Sequence, residues 1–168
     1  MSASPAGELQ PNRPRSSVDI GLRLVTAAAL VVAAVVHLRL AGGYQMAAPG
    51  GIGMGNLFRI QAVAALLVAL AVLVVGSRVV YASAFVVALS SVVAVVLYRY
   101  VDIPAVGPLP AMYEPVWFLE KSVSAVAEGL ATITAAAGFL HASRCRSAQT
   151  RSTQTRSTQT RSKAQTAG

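Results

Sequence analysis

Glu120, Ser124 and Glu128 recur every four residues within a long apolar stretch near the C-terminal end of the chain. On a helix they cover an arc of about 80°. Ala127, Ala131, Ala135 and Gly138 share that side, so the face reads as one stripe of polar and small residues. Carboxylates at such spacing can hold a proton, accept a hydrogen bond from a ligand, or cement a helix interface. Counted inward from Val116 at 1.5 Å per residue, Glu120 lies about 6 Å and Glu128 about 18 Å along the helix. If the stretch spans a bilayer, Glu128 sits near the midplane, where an ionisable group costs about 3 kcal/mol on insertion scales. Two readings of Glu128 stand: a neutral acid hydrogen-bonded to Ser90, Ser91 or a backbone carbonyl, or a group that handles a ligand or protons.

Other polar residues fall at the same levels. His37 near the end of the first apolar stretch, Arg59 and Gln61 near the start of the second, and Tyr98 near the end of the third match Glu120 in depth. The candidate pocket for a ligand or proton is therefore His37, Arg59, Gln61, Tyr98, Glu120, Ser124 and Glu128. The polar half of the bundle contrasts with an opposite half of Ala, Val and Leu. The simpler reading is that His37, Arg39, Glu120 and Lys121 snorkel to lipid headgroups. No catalytic residue, metal site or cofactor is expected. His-x-x-His and Glu-x-x-His spacings are absent, and His37 and His141 fall at opposite ends of the bundle, against joint haem ligation. The lone Cys145 excludes an intrachain disulfide.

These residues need a frame to position them. The 168 residues are 55% hydrophobic and 12% charged, with a mean hydropathy of +0.60. A soluble domain carries roughly twice that charged fraction. Four apolar stretches, at about 18–40, 57–75, 79–98 and 115–141, approach the roughly 20 residues that a bilayer demands. Backbone groups in lipid must be satisfied within the segment, so each stretch is predicted as a helix despite its valines. The expected fold is all-α, an integral membrane four-helix bundle over 18–142. The first stretch is too long for the apolar region of a signal peptide.

Charge orients the bundle. Arg13, Arg15, Arg23, Arg78, Arg144, Arg146, Arg151, Arg156, Arg161 and Lys163 share one side of a four-span topology. Arg39, Arg59, Arg99 and Lys121 share the other. Excess positive charge marks the cytoplasmic face, so both termini are expected there, in a plasma membrane. The net charge of +8 needs no nucleic acid, since the basic residues flank spans instead of forming a folded basic face.

Residues 1–17 read as a disordered cytoplasmic segment. Residues 143–168 read as a basic, low-complexity and disordered cytoplasmic tail. There Thr150-Arg151-Ser152-Thr153-Gln154 recurs as Thr155-Arg156-Ser157-Thr158-Gln159. Its expected partner is the anionic lipid headgroup. The glycines from Gly42 to Gly55 read as a flexible loop between the first two spans. Pro104, Pro108, Pro110 and Pro115 stiffen the loop between the last two.

The segments His37-Leu38-Arg39-Leu40, Gly43-Tyr44 and Asn56-Leu57-Phe58-Arg59-Ile60-Gln61-Ala62, with Glu128 in the last span, resemble small four-helix membrane proteins of actinobacteria with a DoxX-type architecture. The resemblance covers roughly residues 20–142 and implies the same bundle. Three functions follow as expectations. The first is a non-enzymatic accessory or small-ligand-binding membrane protein, as a homo-oligomer or in a larger membrane complex. The second is a proton-linked small-solute carrier using Glu128. The third, implied by the resemblance alone, is a membrane oxidoreductase acting on a quinone-like substrate.

The orientation is directly testable. A reporter active only in the cytoplasm, fused after Gly168 or near Arg78, is expected to give signal. Fusions within Gly50–Gly55 or at Pro108 are expected to be silent, and signal from them would reverse the topology.

Overall fold

The computed structural model describes residues 16–47 and 52–166, with side chains described through Ser147 and at Gln165. It contains four helices: α1 (Ser17–Ala47), α2 (Met54–Val74), α3 (Arg78–Tyr100) and α4 (Leu119–Thr166). All four are long and apolar enough to cross a membrane, α4 through its part Leu119–Ser147. Each helix packs on its sequence neighbours and α4 closes back on α1, giving an up-and-down bundle. The segment expected to be disordered at the N-terminus lies, through residue 15, outside the described residues.

Alanine makes the packing. Ala27 and Ala34 of α1, Ala62, Ala65 and Ala69 of α2, Ala84 and Ala88 of α3, and Ala131 and Ala135 of α4 are buried in one cluster. Small side chains let helix backbones approach closely, which replaces the hydrophobic drive that lipid does not supply. The large apolar residues point the other way: Leu67 is 63% and Ile133 70% exposed. A continuous apolar exterior is what a bilayer solvates and water does not.

The end of the bundle holding the α2–α3 turn is less purely apolar than the sequence suggested. Arg23 is 9% exposed, pairs with Asp19 at 2.9 Å and donates to the Leu73 carbonyl at 3.4 Å. Its guanidinium covers Gly76, whose φ of +56° suits the tight turn into α3. Ser77 then caps α3, its hydroxyl accepting from Val80 N–H at 3.4 Å. Thr26 donates to Thr134 across α1 and α4 at 2.9 Å.

Three element boundaries differ from the sequence reading. α1 continues through Gly42 and Gly43 to Ala47. Gly55 serves close approach instead of flexibility: a Cβ there would lie 2.1 Å from the Ala41 carbonyl oxygen. α4 starts at Leu119, beyond Pro115. The segment before it folds back as a small hairpin, with Ile103 bridged to Met112 and Val106 to Leu109 around Gly107. Ile52 N–H donates to the Pro108 carbonyl at 2.9 Å, joining the hairpin tip to the α1–α2 connection. Finally, α4 runs on through the polar repeat to Thr166, where a disordered tail was expected. A helix already nucleated within the bundle gains one hydrogen bond per added residue, so extension does not need an apolar face.

Gly138 tests the seam between α3 and α4. A Cβ there would lie 2.3–2.5 Å from the ring of Tyr81, which is itself fully buried. Gly138→Leu is expected to cost about 1–3 kcal/mol from overpacking. The thermal midpoint in detergent should fall, and Tyr81→Ala in the same chain should restore part of it.

Candidate functional site

The alanine seams do not run the full length of the bundle. Toward the hairpin, larger residues enclose a cavity of about 390 Å³. Its walls are mostly apolar, with Leu57 and Phe58 from α2, Ala94 and Val95 from α3, and Phe118 just before α4. Leu109 and Met112 of the hairpin close its upper part. Polar groups enter at three positions. His37, Ser91 and Ser124 contribute at the deep end, Gln61 and Tyr98 along the wall, and Tyr44, Glu114 and Lys121 near the hairpin.

Glu128 lies behind the deep end, 1% exposed. Ser124, one turn earlier, donates to Oε1 at 3.0 Å. Ser91 of α3 is buried close by. His37 Nε2 lies 3.6 Å from the same Oε1. The His37 ring is held on its other side, with Nδ1 2.9 Å from the Ala33 carbonyl oxygen. A carbonyl only accepts, so Nδ1 carries a proton. Nε2 and Oε1 face each other through lone pairs unless one further proton lies between them. At 3.6 Å the contact is longer than a hydrogen bond, so the two groups are close neighbours and not a bonded pair. Glu128 Oε2 makes no hydrogen bond among the described residues. Ser90, the other expected partner, is exposed and donates to the Val87 carbonyl at 2.9 Å.

Aromatic rings carry the site outward from His37. The Phe58 ring meets His37 edge-on at 5.1 Å and tilts against Tyr44 at 4.8 Å. The Tyr44 hydroxyl donates to Glu114 Oε2 at 3.2 Å. Glu114 in turn is tied by its backbone N–H to the Tyr98 carbonyl at 3.0 Å. Gln61 donates to the Val87 carbonyl at 3.1 Å, bridging α2 and α3 where they pack lightly.

His37, Gln61, Tyr98, Ser124 and Glu128 are thus brought together, four of them on the cavity wall and Glu128 immediately behind it. Arg59 and Glu120 are not. Both are exposed, and Arg59 donates to Asn56 at 2.7 Å on its own helix. The buried face of α4 runs through Lys121, Ser124, Glu128, Ala131 and Ala135. Around the helix Lys121 lies about 20° from Glu128, against about 80° for Glu120. Tyr44, Glu114 and Lys121 are site residues that sequence reasoning missed. For Lys121 the three-then-four spacing to Ser124 and Glu128 was an available signal. For Tyr44 and Glu114 no local signal existed, because their contact joins residues 70 apart in sequence.

Comparison of the chain with protein-family models, with curated proteins and with solved structures found no match. The reading of the site therefore rests on its chemistry.

Removing either partner of the His37–Glu128 contact leaves the other buried without compensation. His37→Leu and Glu128→Leu are each expected to destabilise the bundle. The double variant should lose less than their sum, by about 1 kcal/mol, in a double-mutant cycle of unfolding in detergent. Strict additivity would show that the two side chains do not interact.

Proposed function

We propose that this chain is a multi-pass protein of the bacterial plasma membrane that binds a small lipophilic ligand inside its four-helix bundle, without chemical conversion. Both termini face the cytoplasm, and the cavity lies toward the opposite surface beneath the hairpin. The observation that carries this reading is the cavity itself. Its volume of about 390 Å³ falls within the roughly 300–1,000 Å³ of small-molecule sites. It also combines apolar walls with a few convergent polar groups, which is how such sites bind and orient a ligand. An accessory role in an oligomer or larger membrane complex is compatible with the same cavity.

The residues that carry the resemblance to DoxX-type proteins can be placed in the bundle. His37, Tyr44, Leu57, Phe58 and Gln61 all line the cavity. We retain that kinship as part of the proposal. The quinone-linked oxidoreductase reading rests on the resemblance alone. The proton-linked carrier is favoured by one observation, the contact of His37 with the buried Glu128 carboxyl.

Two measurements decide between these readings. Native mass spectrometry of protein released from nanodiscs should show a bound small molecule, and Ala94→Phe should remove it by filling the cavity wall. An empty wild-type protein would sink the ligand reading. For the carrier, Glu128→Gln preserves hydrogen bonding but not proton release. Proton uptake into proteoliposomes that depends on a solute and vanishes in this variant would establish the carrier instead.

A further inference from the structure

Lys121 lines the cavity while being 7% exposed. Its ammonium donates to the carbonyls of Glu114 and Val116 and lies 5.5 Å from the centre of the Trp117 ring. No carboxylate pairs with it: among the described residues the ion-pair contacts are Arg23–Asp19 and His37–Glu128. Glu114 acts on it electrostatically, yet its carboxylate is engaged by Tyr44. Glu120 is exposed. Arg99 does not line the cavity and lies over the Tyr100 ring at 5.2 Å. On the cavity wall Lys121 is thus the one cation among the described residues, and the one carboxylate there, Glu114, turns its oxygen to Tyr44 and makes no direct contact with the ammonium.

An ammonium has three N–H donors, and carbonyls take two of them. A buried cation is costly unless an anion compensates it. Below Lys121 the walls turn apolar and aromatic, with Phe58, Tyr98 and Phe118. Lys121 and Glu128 are about 10 Å apart along α4, so Glu128 is too far to pair with the ammonium.

We infer that the ligand is a small amphipathic anion, with an apolar, ring-bearing body among Phe58, Tyr98 and Phe118 and its acidic group against Lys121. This rests on the ligand-binding reading above and names the ligand class. A free organic acid and the head of an anionic lipid both offer this chemistry.

The probes are 4-phenylbutanoate, 4-phenylbutanol and 4-phenylbutylamine, matched in size and differing in head group. Binding is measured by calorimetry on full-length protein in phosphatidylcholine nanodiscs, with empty nanodiscs subtracted. Trp117, the single tryptophan, reports occupancy beside Lys121 through its fluorescence. The acid should bind saturably and at least about tenfold more tightly than the alcohol or the amine. Lys121→Met should remove that preference, while Lys121→Arg should keep the acid within about threefold of wild type, since the charge is retained. The thermal midpoint of each variant shows that it is folded. Phosphatidylglycerol in the nanodisc should compete if the anion comes from lipid and leave binding unchanged if it is a free acid. Equal binding of acid and alcohol, or undiminished acid binding by folded Lys121→Met, overturns the inference but leaves the ligand-binding reading standing. Absence of binding by all three probes overturns both.

Discussion

Close helix approach along alanine seams is the constraint from which the remaining geometry follows. The large apolar residues face outward and small ones fill the inside, so packing depends on how near the backbones come. Ala62, Ala65 and Ala69 on α2, Ala84 and Ala88 on α3, and Ala131 and Ala135 on α4 are essentially inaccessible. They hold the bundle tight toward the α2–α3 turn. Gly138 and Gly55 extend the same logic, one receiving the Tyr81 ring and the other the end of α1. Phe58, Tyr98 and Phe118 stand on the cavity wall at the other end, where α1 and α2 still approach closely at Gly55. The cavity lies among these larger side chains, with the hairpin closing its upper part.

Polar groups follow the same division. At the tight end, Arg23 is neutralised by Asp19 and by the Leu73 carbonyl, so its charge is used up in joining α1 to the α2–α3 turn. At the open end the polar groups are only partly used. Ser124 and His37 both address one oxygen of Glu128, with Ser91 close by, while Oε2 makes no hydrogen bond within the distance limit among the described residues. Lys121 is met by carbonyl oxygens and not by a carboxylate. A fully satisfied network rigidifies a bundle, whereas a partly satisfied one beside a cavity leaves interactions for something else to make. The tight end has an orphan of its own, the buried Tyr81 hydroxyl, which has no hydrogen-bond partner among the described residues, so what sets the open end apart is the cavity beside its polar groups.

Much of the architecture was legible in the amino-acid sequence, because bilayer thickness and backbone satisfaction leave few solutions for four long apolar stretches. The polar stripe through Ser124 and Glu128 was legible too, since helical periodicity puts them on one side of α4 with the alanines that bury it. Depth counting at 1.5 Å per residue put Glu128 near the midplane beside Ser91 but set His37 at the level of Glu120, whereas the structure brings His37 to Glu128. Tertiary structure decided the phase of that stripe. Glu120 and Lys121 are adjacent in sequence and differ by about 100° around the helix, and which of them faces inward depends on where α1 and α3 sit. Tertiary structure also turned an apparent glycine loop into the last turns of α1, through contacts with α2 that no local pattern announces. It brought Glu114 to Tyr44 by folding a proline-rich connection into a hairpin. Local periodicity carries the direction of a side chain from its own helix axis, whereas a binding cavity is defined by what several axes leave between them.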